Sequence, residues 1–337
     1  MKKVCVILAA CASLAIFASF PSNLRSGTDE PANPKSYELT VVDKGKKIKV
    51  ITPKQIQGGD MAPEEFSIYT TGKIDDMEIT LIDANKNEAF DEKGQDAFII
   101  GKSLYALPVS RIISIKNKLY ECEIETSGER ITLTPYQGDV GEVDMLSNFK
   151  CPLKPEMIIL RSDDIYLDVS KSKTALVPCG SYNLWLGYIP EKKCSMAIKA
   201  GEMKGIEVSK EESPDGKKKA VKVQWGAPYK LDCSCSIQDN NVSIPEAVNV
   251  CGSAGEEYYN FSPSILPASV EIFDATKKSV AKGAISRTIA ATDQNPNSGV
   301  RGGYNGTLKK GAAAPYTLKV MIKNSVLGEL KGEKEIK

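Results

Sequence analysis

Residues 111–136 read RIISIKNKLYECEIETSGERITLTPY, and apolar and polar side chains alternate through most of this stretch. A period of two is typical of strands that bury one face, because successive side chains of a strand point to opposite sides of the sheet. The polar interruptions between the alternating runs are short, as turns are. The stretch therefore predicts half-buried strands separated by turns.

The same alternation continues on both sides of this stretch. It occurs in EITLI (78–82) and DAFIIG (96–101) before it, and in EMIILRS (156–162) and IYLDVS (165–170) after it. Helical signatures are scarce: APEEF (62–66) has acidic residues in a first turn after a proline, but it is short. We therefore expect an all-β protein of two or three β-sandwich-like modules with very little helix.

Shifts in composition divide the chain into five segments. We predict a signal peptide (1–20), a flexible linker (21–36), a β domain with a candidate calcium loop (37–150), a β-sandwich domain with most of the cysteines (151–252) and a C-terminal β module (253–337). Within the third segment, YELTVVDKGKKIKVIT (37–52) predicts a hairpin around Lys44-Gly45.

The N-terminus has the pattern of an export signal. Two lysines precede an apolar run from Val4 to Phe20. Three fates stay open for this run: cleavage, retention as an anchor, or lipidation at Cys11, where LAAC (8–11) resembles a bacterial lipobox. All three place the rest of the chain in the periplasm, at the cell surface or outside the cell.

The composition excludes several functions. Lys and Arg number 44 and Asp and Glu number 43, so the net charge of +1 gives no electrostatic basis for binding nucleic acid, or a membrane beyond the N-terminal signal or anchor. The chain contains no histidine. Catalytic triads and zinc sites that depend on a histidine of this chain are therefore excluded.

Cysteines predict disulfides in an exported chain. Seven of the nine follow the apolar N-terminal run, so at most three disulfides form and one thiol is left over. Cys233 and Cys235 lie two residues apart on one face of a strand, with about 7 Å between their Cα atoms, and this distance disfavours a disulfide between them. Each is expected to pair elsewhere, with Cys251, Cys194 or Cys179 as candidates. The alternative is a thiolate metal site made by Cys233, Cys235, Cys251 and a fourth cysteine.

The segment DANKNEAFDEKGQDAF (83–98) is rich in side-chain oxygens. Counted from Asp83, oxygen-bearing groups occupy the first, third, fifth, seventh and ninth positions: Asp83, Asn85, Asn87, the carbonyl of Ala89 and Asp91. This spacing resembles EF-hand and dockerin-type loops, and the resemblance implies a calcium ion.

Two positions of this segment depart from the EF-hand pattern. The sixth residue is Glu88 instead of glycine, and the twelfth is Gly94 instead of the bidentate glutamate, so Asp96 or Glu92 would supply the last ligand. The alternative to a calcium loop is a solvated turn in which Asn and Asp serve the turn geometry.

The segment VPCGSYNLW (177–185) matches a second pattern, V-P-x-G-x-Y, at Val177, Pro178, Gly180 and Tyr182, with Leu184 two residues on. It resembles a strand of carboxypeptidase-regulatory-like, or transthyretin-like, β-sandwiches. The resemblance implies a turn at Pro and Gly, alternation of Tyr and Leu into the core, and an accessory, non-catalytic module. With both patterns, the chain loosely resembles uncharacterised exported bacterial β-sandwich proteins.

We therefore expect an exported, non-catalytic structural or binding protein, stabilised by disulfides and by calcium, whose partner is an unknown protein or polysaccharide. The alternative is a histidine-independent, glycosidase-like hydrolase that uses paired carboxylates. Glu256 and Glu257 are adjacent, but neighbours on a strand point to opposite faces. A sugar-stacking platform is a further candidate at GYI (187–189) or QWGAPY (224–229), with burial in the core as the alternative for the tryptophans.

Overall fold

The structure is a computed structural model, and it describes residues 33–42, 46–60, 62–210, 219–245, 247–265, 267–285, 300–301 and 303–336. These residues form 31 strands and one helix of six residues, so the predicted all-β, multi-sheet fold with very little helix is confirmed. The contacts of Asn33–Lys337 make one compact unit. The predicted signal peptide lies outside the described residues, and the helix they contain is too short to cross a membrane.

The first part of the chain builds an eight-stranded antiparallel sheet. The elements of this part of the chain, which include α1 and two strands outside the sheet, are β1 (Lys35–Val41), β2 (Ile48–Val50), α1 (Pro53–Gly58), β3 (Glu64–Phe66), β4 (Tyr69–Ile74), β5 (Met77–Ile82), β6 (Ala97–Ile100), β7 (Leu107–Pro108), β8 (Ile112–Ile115), β9 (Lys118–Ile124) and β10 (Arg130–Pro135). The strand order is β7-β6-β5-β4-β1-β10-β9-β8, and β2 pairs with β3 outside this sheet. Alternate residues such as Leu39, Ile79 and Ile131 are buried on one face.

The stretch at 111–136 supplies three strands of this sheet, as its alternation predicts. β8 and β9 form a hairpin in which Ile115 pairs with Lys118. The two residues of the turn, Lys116 and Asn117, have φ angles of 49° and 60°. Left-handed residues at both turn positions match the right-handed twist of the flanking strands. The local sequence therefore fixes this hairpin.

The rest of the chain builds a thirteen-stranded sheet and three small ones. The strands of all four sheets are β11 (Val140–Asp144), β12 (Phe149–Lys150), β13 (Met157–Ser162), β14 (Ile165–Asp168), β15 (Ala175–Pro178), β16 (Gly180–Ile189), β17 (Ser195–Lys199), β18 (Ile206–Val208), β19 (Val221–Lys222), β20 (Trp225–Gly226), β21 (Lys230–Cys233), β22 (Ser236–Gln238), β23 (Asn241–Ile244), β24 (Ala247–Cys251), β25 (Glu257–Ser262), β26 (Ala268–Phe273), β27 (Ser279–Ile285), β28 (Val300–Arg301), β29 (Tyr304–Thr307), β30 (Tyr316–Asn324) and β31 (Gly328–Ile336).

The large sheet runs β14-β13-β16-β17-β25-β24-β21-β31-β30-β26-β27, with β18 on β16 and β28 on β24. The small sheets are β15-β11-β19, β12-β20 and β22-β23-β29. Strands from both sides of residue 252 belong to the large sheet. The domain bounds drawn from the sequence stay a prediction.

The V-P-x-G-x-Y segment spans the end of β15 and the start of β16. Tyr182 and Leu184 are buried in the core, which is the inward alternation that the sequence predicts. The Tyr182 hydroxyl donates a hydrogen bond to the carbonyl of Pro178 at 3.0 Å, so its polar end is satisfied inside the core. The family resemblance itself stays a prediction.

Two local predictions near the start of the chain are wrong. No hairpin joins β1 and β2 in the described residues: β1 pairs with β4 and β10, and β2 pairs with β3. The helix is α1, whereas Glu64–Phe66 of APEEF form β3. α1 begins with a capping box, in which Thr52 N–H donates to Gln55 Oε1 at 2.7 Å and Gln55 N–H donates back to Thr52 Oγ1 at 3.4 Å.

The predicted disulfides are absent among the described residues, which include all seven cysteines after the N-terminal run. Strand pairing explains part of this result. Cys122 lies opposite Leu133, Cys233 opposite Val248 and Cys251 opposite Lys230, so none of these three faces another cysteine. Cys233 and Cys251 lie at opposite ends of the β21–β24 pair, about 10 Å apart along the strands. The described residues form no thiolate metal site either.

Burial makes several of these thiols poor nucleophiles. It raises the pKa of Cys122 to about 12 and that of Cys233 to about 11. The attacking species is the thiolate, so at about pH 8 we expect both residues of the native protein to react with Ellman's reagent at least about 100-fold more slowly than a free cysteine.

In denaturant without reductant, seven thiols per chain from residue 33 onward should react. A count of five, three or one would show that disulfides form.

The left-handed turn of the β8–β9 hairpin predicts a stability difference. Asn117→Val should lower the free energy of unfolding by about 1–2 kcal/mol, since a β-branched residue is strained at positive φ. Asn117→Gly is the matched control and should leave stability unchanged or slightly higher. Urea unfolding of the two variants measures the difference, and equal midpoints would contradict the turn conformation.

Candidate functional site

The oxygen-rich loop, residues 83–96, connects β5 to β6. These strands are antiparallel neighbours, and Ile82 pairs with Ala97, so the two ends of the loop lie side by side. Asp83 and Asp96 occupy these ends, and their exposed fractions are 0% and 1%. Two buried carboxylates therefore lie at the base of this loop, which is longer than the connection that a β-hairpin requires.

Asp83 organises the first half of the loop. Its Oδ1 accepts hydrogen bonds from the N–H groups of Lys86 at 2.6 Å and Asn87 at 3.2 Å, and its Oδ2 accepts from Glu88 N–H at 2.8 Å. Glu88, at the sixth position, has a φ of 67°. That is the left-handed region, which favours the glycine that EF-hands have at this position. The backbone makes the turn here without glycine.

Glu92 lies where the two amide side chains converge. The Nδ2 groups of Asn85 and Asn87 both donate to Glu92 Oε2, the second at 2.6 Å. Rotating each amide by 180° would exchange its nitrogen for its oxygen, which is an acceptor. Two amide oxygens would then face the Glu92 carboxylate, and the hydrogen bonds that Asn85 Oδ1 accepts from Asn87 N–H at 3.2 Å and Asn87 Oδ1 accepts from Ala89 N–H at 3.0 Å would be lost. The loop thus holds three oxygen-bearing side chains around one position.

Asp96 closes the loop from the other end. Its Oδ1 accepts from Ala84 N–H at 3.2 Å and its Oδ2 from Glu92 N–H at 3.1 Å. The pKa of Asp96 is raised from 3.8 to about 6: burial is the largest cause, the backbone hydrogen bonds from Glu92 and Ala84 lower it, and the negative charges of Asp83 and Glu92 raise it. The Asp96 carboxylate is therefore costly to ionise in the absence of a nearby positive charge.

Positive side chains near the loop are engaged elsewhere. Lys86 Nζ pairs with Glu64 at 3.0 Å, and Lys93 Nζ lies 3.9 Å from Asp164. Within the described part of the chain, no Lys or Arg forms an ion pair with Asp83, Glu92 or Asp96. Buried carboxylates are normally paired with a cation or coordinated to a metal. These carboxylates have only hydrogen-bond donors as partners.

The remaining predicted ligands, Asp91 and Ala89, lie to one side of Asp83, Glu92 and Asp96. Asp91 Oδ2 accepts a hydrogen bond from Thr126 Oγ1 at 3.3 Å, and Ala89 N–H donates to Asn87 Oδ1 at 3.0 Å. Between them Phe90 is buried in the core of the first sheet. A Cβ at residue 128 would lie 2.7 Å from its ring, so Gly128 leaves the space that Phe90 fills. Phe90 anchors the loop and separates Asp91 from the cluster.

The structure thus brings together five of the loop's polar side chains: Asp83, Asn85, Asn87, Glu92 and Asp96. Sequence spacing pointed to Asp83, Asn85 and Asn87 directly and named Asp96 and Glu92 as alternatives for the last ligand. Counting only Asp, Glu, Cys and His, the described residues contain no group of three or more arranged to hold a metal ion. A cation in this loop would therefore need amide oxygens as well as carboxylates, which suits Ca²⁺ because it accepts both.

The adjacent glutamates of β25 and its approach do not form a carboxylate pair. Glu256 is fully buried and accepts from Gly226 N–H at 2.6 Å, Ala254 N–H at 3.0 Å and the Tyr258 hydroxyl at 3.0 Å. Glu257 instead pairs with Lys199 Nζ at 2.9 Å. The two side chains have separate partners, so Glu256 and Glu257 lack the common cleft that a glycosidase requires.

No protein-family model matches the sequence of this chain, and no curated protein is similar to it.

The raised pKa of Asp96 predicts how stability depends on pH in a chelator. Between about pH 4 and 6 the folded state binds a proton that the unfolded state has lost, so the contribution of Asp96 to stability falls as pH rises through this range. Asp96→Asn should remove this dependence and stabilise the protein at neutral pH by up to about 3 kcal/mol. Urea unfolding at both ends of the range, with EDTA, measures it. Parallel pH profiles for the variant and the parent chain would contradict the assignment.

Proposed function

We propose that this chain is an exported, non-catalytic structural or binding protein of the cell surface or periplasm, and that its loop at 83–96 binds a calcium ion that stabilises the first sheet. Asn85 and Asn87 would supply amide oxygens after rotation of their side chains, together with no more than two of the carboxylates of Asp83, Glu92 and Asp96 at once. The ion would contribute positive charge at the base of the loop and no chemistry. The export signal in the sequence supports the location.

One observation carries the calcium proposal. Two carboxylates at the base of the loop, Asp83 and Asp96, are buried without a cationic partner among the described residues, and a third carboxylate, Glu92, is near enough to raise the pKa of Asp96. Such an arrangement is unfavourable in the absence of a counter-charge, because burial and, after it, the negative charges of Asp83 and Glu92 raise the pKa of Asp96. A divalent cation removes this cost. A solvated turn would leave the carboxylates exposed to water.

The choice of a binding or structural protein over a hydrolase rests on the separation of Glu256 from Glu257. Glu256 is held by three hydrogen bonds inside the large core, and Glu257 by an ion pair with Lys199. A glycosidase needs one carboxylic acid and one carboxylate on either side of a sugar in a cleft. The pair that the sequence offered for this alternative is occupied in structural contacts.

Calcium should raise the thermal stability of the chain from residue 33 onward. With an affinity typical of extracellular modules, a dissociation constant of about 0.1–1 mM, about 10 mM Ca²⁺ should contribute about 2 kcal/mol and raise Tm by about 5 °C relative to EDTA. Differential scanning calorimetry with Ca²⁺, Mg²⁺ and EDTA measures the shift. We expect little effect of Mg²⁺, which requires a smaller octahedral site.

Variants distinguish the ligand set. Asp83→Asn and Glu92→Gln should each lose most of the calcium-dependent shift, because they remove charge at the cluster with little change in shape. Asp91→Ala is the matched control: Asp91 lies against Thr126, so this variant should keep the shift. A shift that survives Glu92→Gln but not Asp91→Ala would favour the ninth-position ligand of the EF-hand pattern. No shift in the parent chain would reject the calcium site.

A further inference from the structure

An open groove of about 550 Å³ lies on the face of the large sheet at strands β13 and β16. Its lining includes Arg161, Asp163, Ser181, Asn183 and Trp185. With Ser162 and Leu184, which complete the lining, the groove contains one positive and one negative side chain, an indole, three neutral polar side chains and a leucine. It belongs neither to the calcium loop nor to the Glu256 region, and it has the size of a small-ligand site.

The groove is the uncovered half of a sheet face. At one end of β13 and β16 this face carries Ile159 and Leu186, which are buried in a cluster with Ile56 of α1. At the other end the same face carries Arg161 and Asn183, which pair across the two strands and are exposed. The chain covers the apolar half with its only described helix and leaves the polar half open.

A β-bulge places Trp185 at the border of the two halves. Leu184 and Leu186 pair with the consecutive residues Leu160 and Ile159, so Trp185 is the extra residue on β16. Leu184 belongs to the large core and Leu186 to the cluster on the opposite face, so the bulge also reverses the side to which alternate residues point. Bulges re-aim side chains and are frequent next to functional sites.

Neighbouring side chains hold Trp185 and Arg161 in place. The Tyr166 ring contacts the Trp185 ring edge-on, with centroids 5.0 Å apart and an angle of 73°. The Arg161 guanidinium lies 5.4 Å from the centroid of the Tyr166 ring, and its Nε donates to the carbonyl of Asp163 at 3.1 Å. These contacts reduce the entropy that the side chains would lose on binding a ligand.

The polar groups of the groove are available for a ligand. Among the described residues, the Trp185 indole N–H and the side chains of Asn183 and Ser181 have no hydrogen-bond partner, and only Nε of Arg161 has one. The other tryptophan differs: Trp225 is fully buried, and its Nε1 donates to the carbonyl of Met145 at 2.7 Å. One tryptophan serves the core, and the other lines the groove.

We propose that this groove binds a neutral oligosaccharide. A pyranose ring combines an apolar C–H face, which stacks on an aromatic ring such as that of Trp185, with hydroxyl groups that Asn183 and Arg161 can bind. The single Arg161 beside Asp163 gives no excess of positive charge for a phosphate or nucleic acid. The proposal rests on the proposed function in that it names the ligand of a binding protein, but it requires no calcium.

Binding to an array of neutral oligosaccharides tests the proposal. The array carries two- to six-unit oligomers of glucose, mannose, galactose and N-acetylglucosamine, and the protein is the chain from residue 33 onward, with Ca²⁺ and with EDTA. We expect binding to at least one series. Calorimetric titration of that oligomer should show that Trp185→Ala lowers affinity at least about 30-fold and Asn183→Ala about tenfold, whereas Trp185→Phe keeps most of it.

Controls separate loss of the site from loss of the fold. Tyr37→Ala removes a partly exposed aromatic residue from the first sheet and should leave affinity unchanged. Trp185 also packs against the cluster beside α1, so Asn183→Ala, at an exposed position, tests the site if Trp185→Ala unfolds. No binding to any oligomer, or unchanged affinity in a folded Asn183→Ala or Trp185→Ala variant, would overturn the proposal. A calcium shift without sugar binding would overturn this proposal alone, and sugar binding without a calcium shift would overturn only the calcium site.

Discussion

Burial of the apolar half of two neighbouring strands, β13 and β16, on both faces is the constraint on which the rest of the large sheet depends. Met157 and Ile159 point to the cluster beside α1, and Ile158 and Leu160 point to the large core. A strand that is apolar on both sides needs cover on both sides. The large core covers one side, and α1, with Ile51 and Tyr105, covers the other. The first part of the chain therefore packs against the second through this strand pair.

The oxygen-rich loop and the groove are close neighbours because of this packing. Gly94 of the loop has a φ of 75°, and a Cβ there would lie 2.5 Å from the Tyr166 hydroxyl. Lys93 lies 3.9 Å from Asp164, in the turn between β13 and β14, and Arg111 pairs with the same carboxylate at 2.8 Å. The loop thus contacts the residue that supports Trp185. Tyr166 therefore contacts both the loop, at Gly94, and the groove, at Trp185.

The two sites differ in how far the sequence could predict them. The oxygen spacing after β5 pointed to Asp83, Asn85, Asn87 and Asp91 and left Asp96 and Glu92 as alternatives for the last ligand, because ligands in a calcium loop lie close together in the sequence. It could not show that Asp91 lies to one side, because that position follows from Phe90, which is buried against Gly128 some 40 residues later. The groove joins β13, the turn after it and β16, and the bulge at Trp185 appears only when β16 pairs with β13.

The sequence by itself determined the strand-rich fold and the inward alternation of Tyr182 and Leu184, since these depend on side-chain period. The capping box at Thr52 was also present in the sequence, and it marks α1 more reliably than APEEF does. Only the tertiary structure decided that β1 pairs with β4 and β10, that the cysteines do not face one another across the strand pairs, and that half of one sheet face stays open. An alternating strand fits many partners equally well, so its neighbour is selected by packing between distant residues and not by its own pattern.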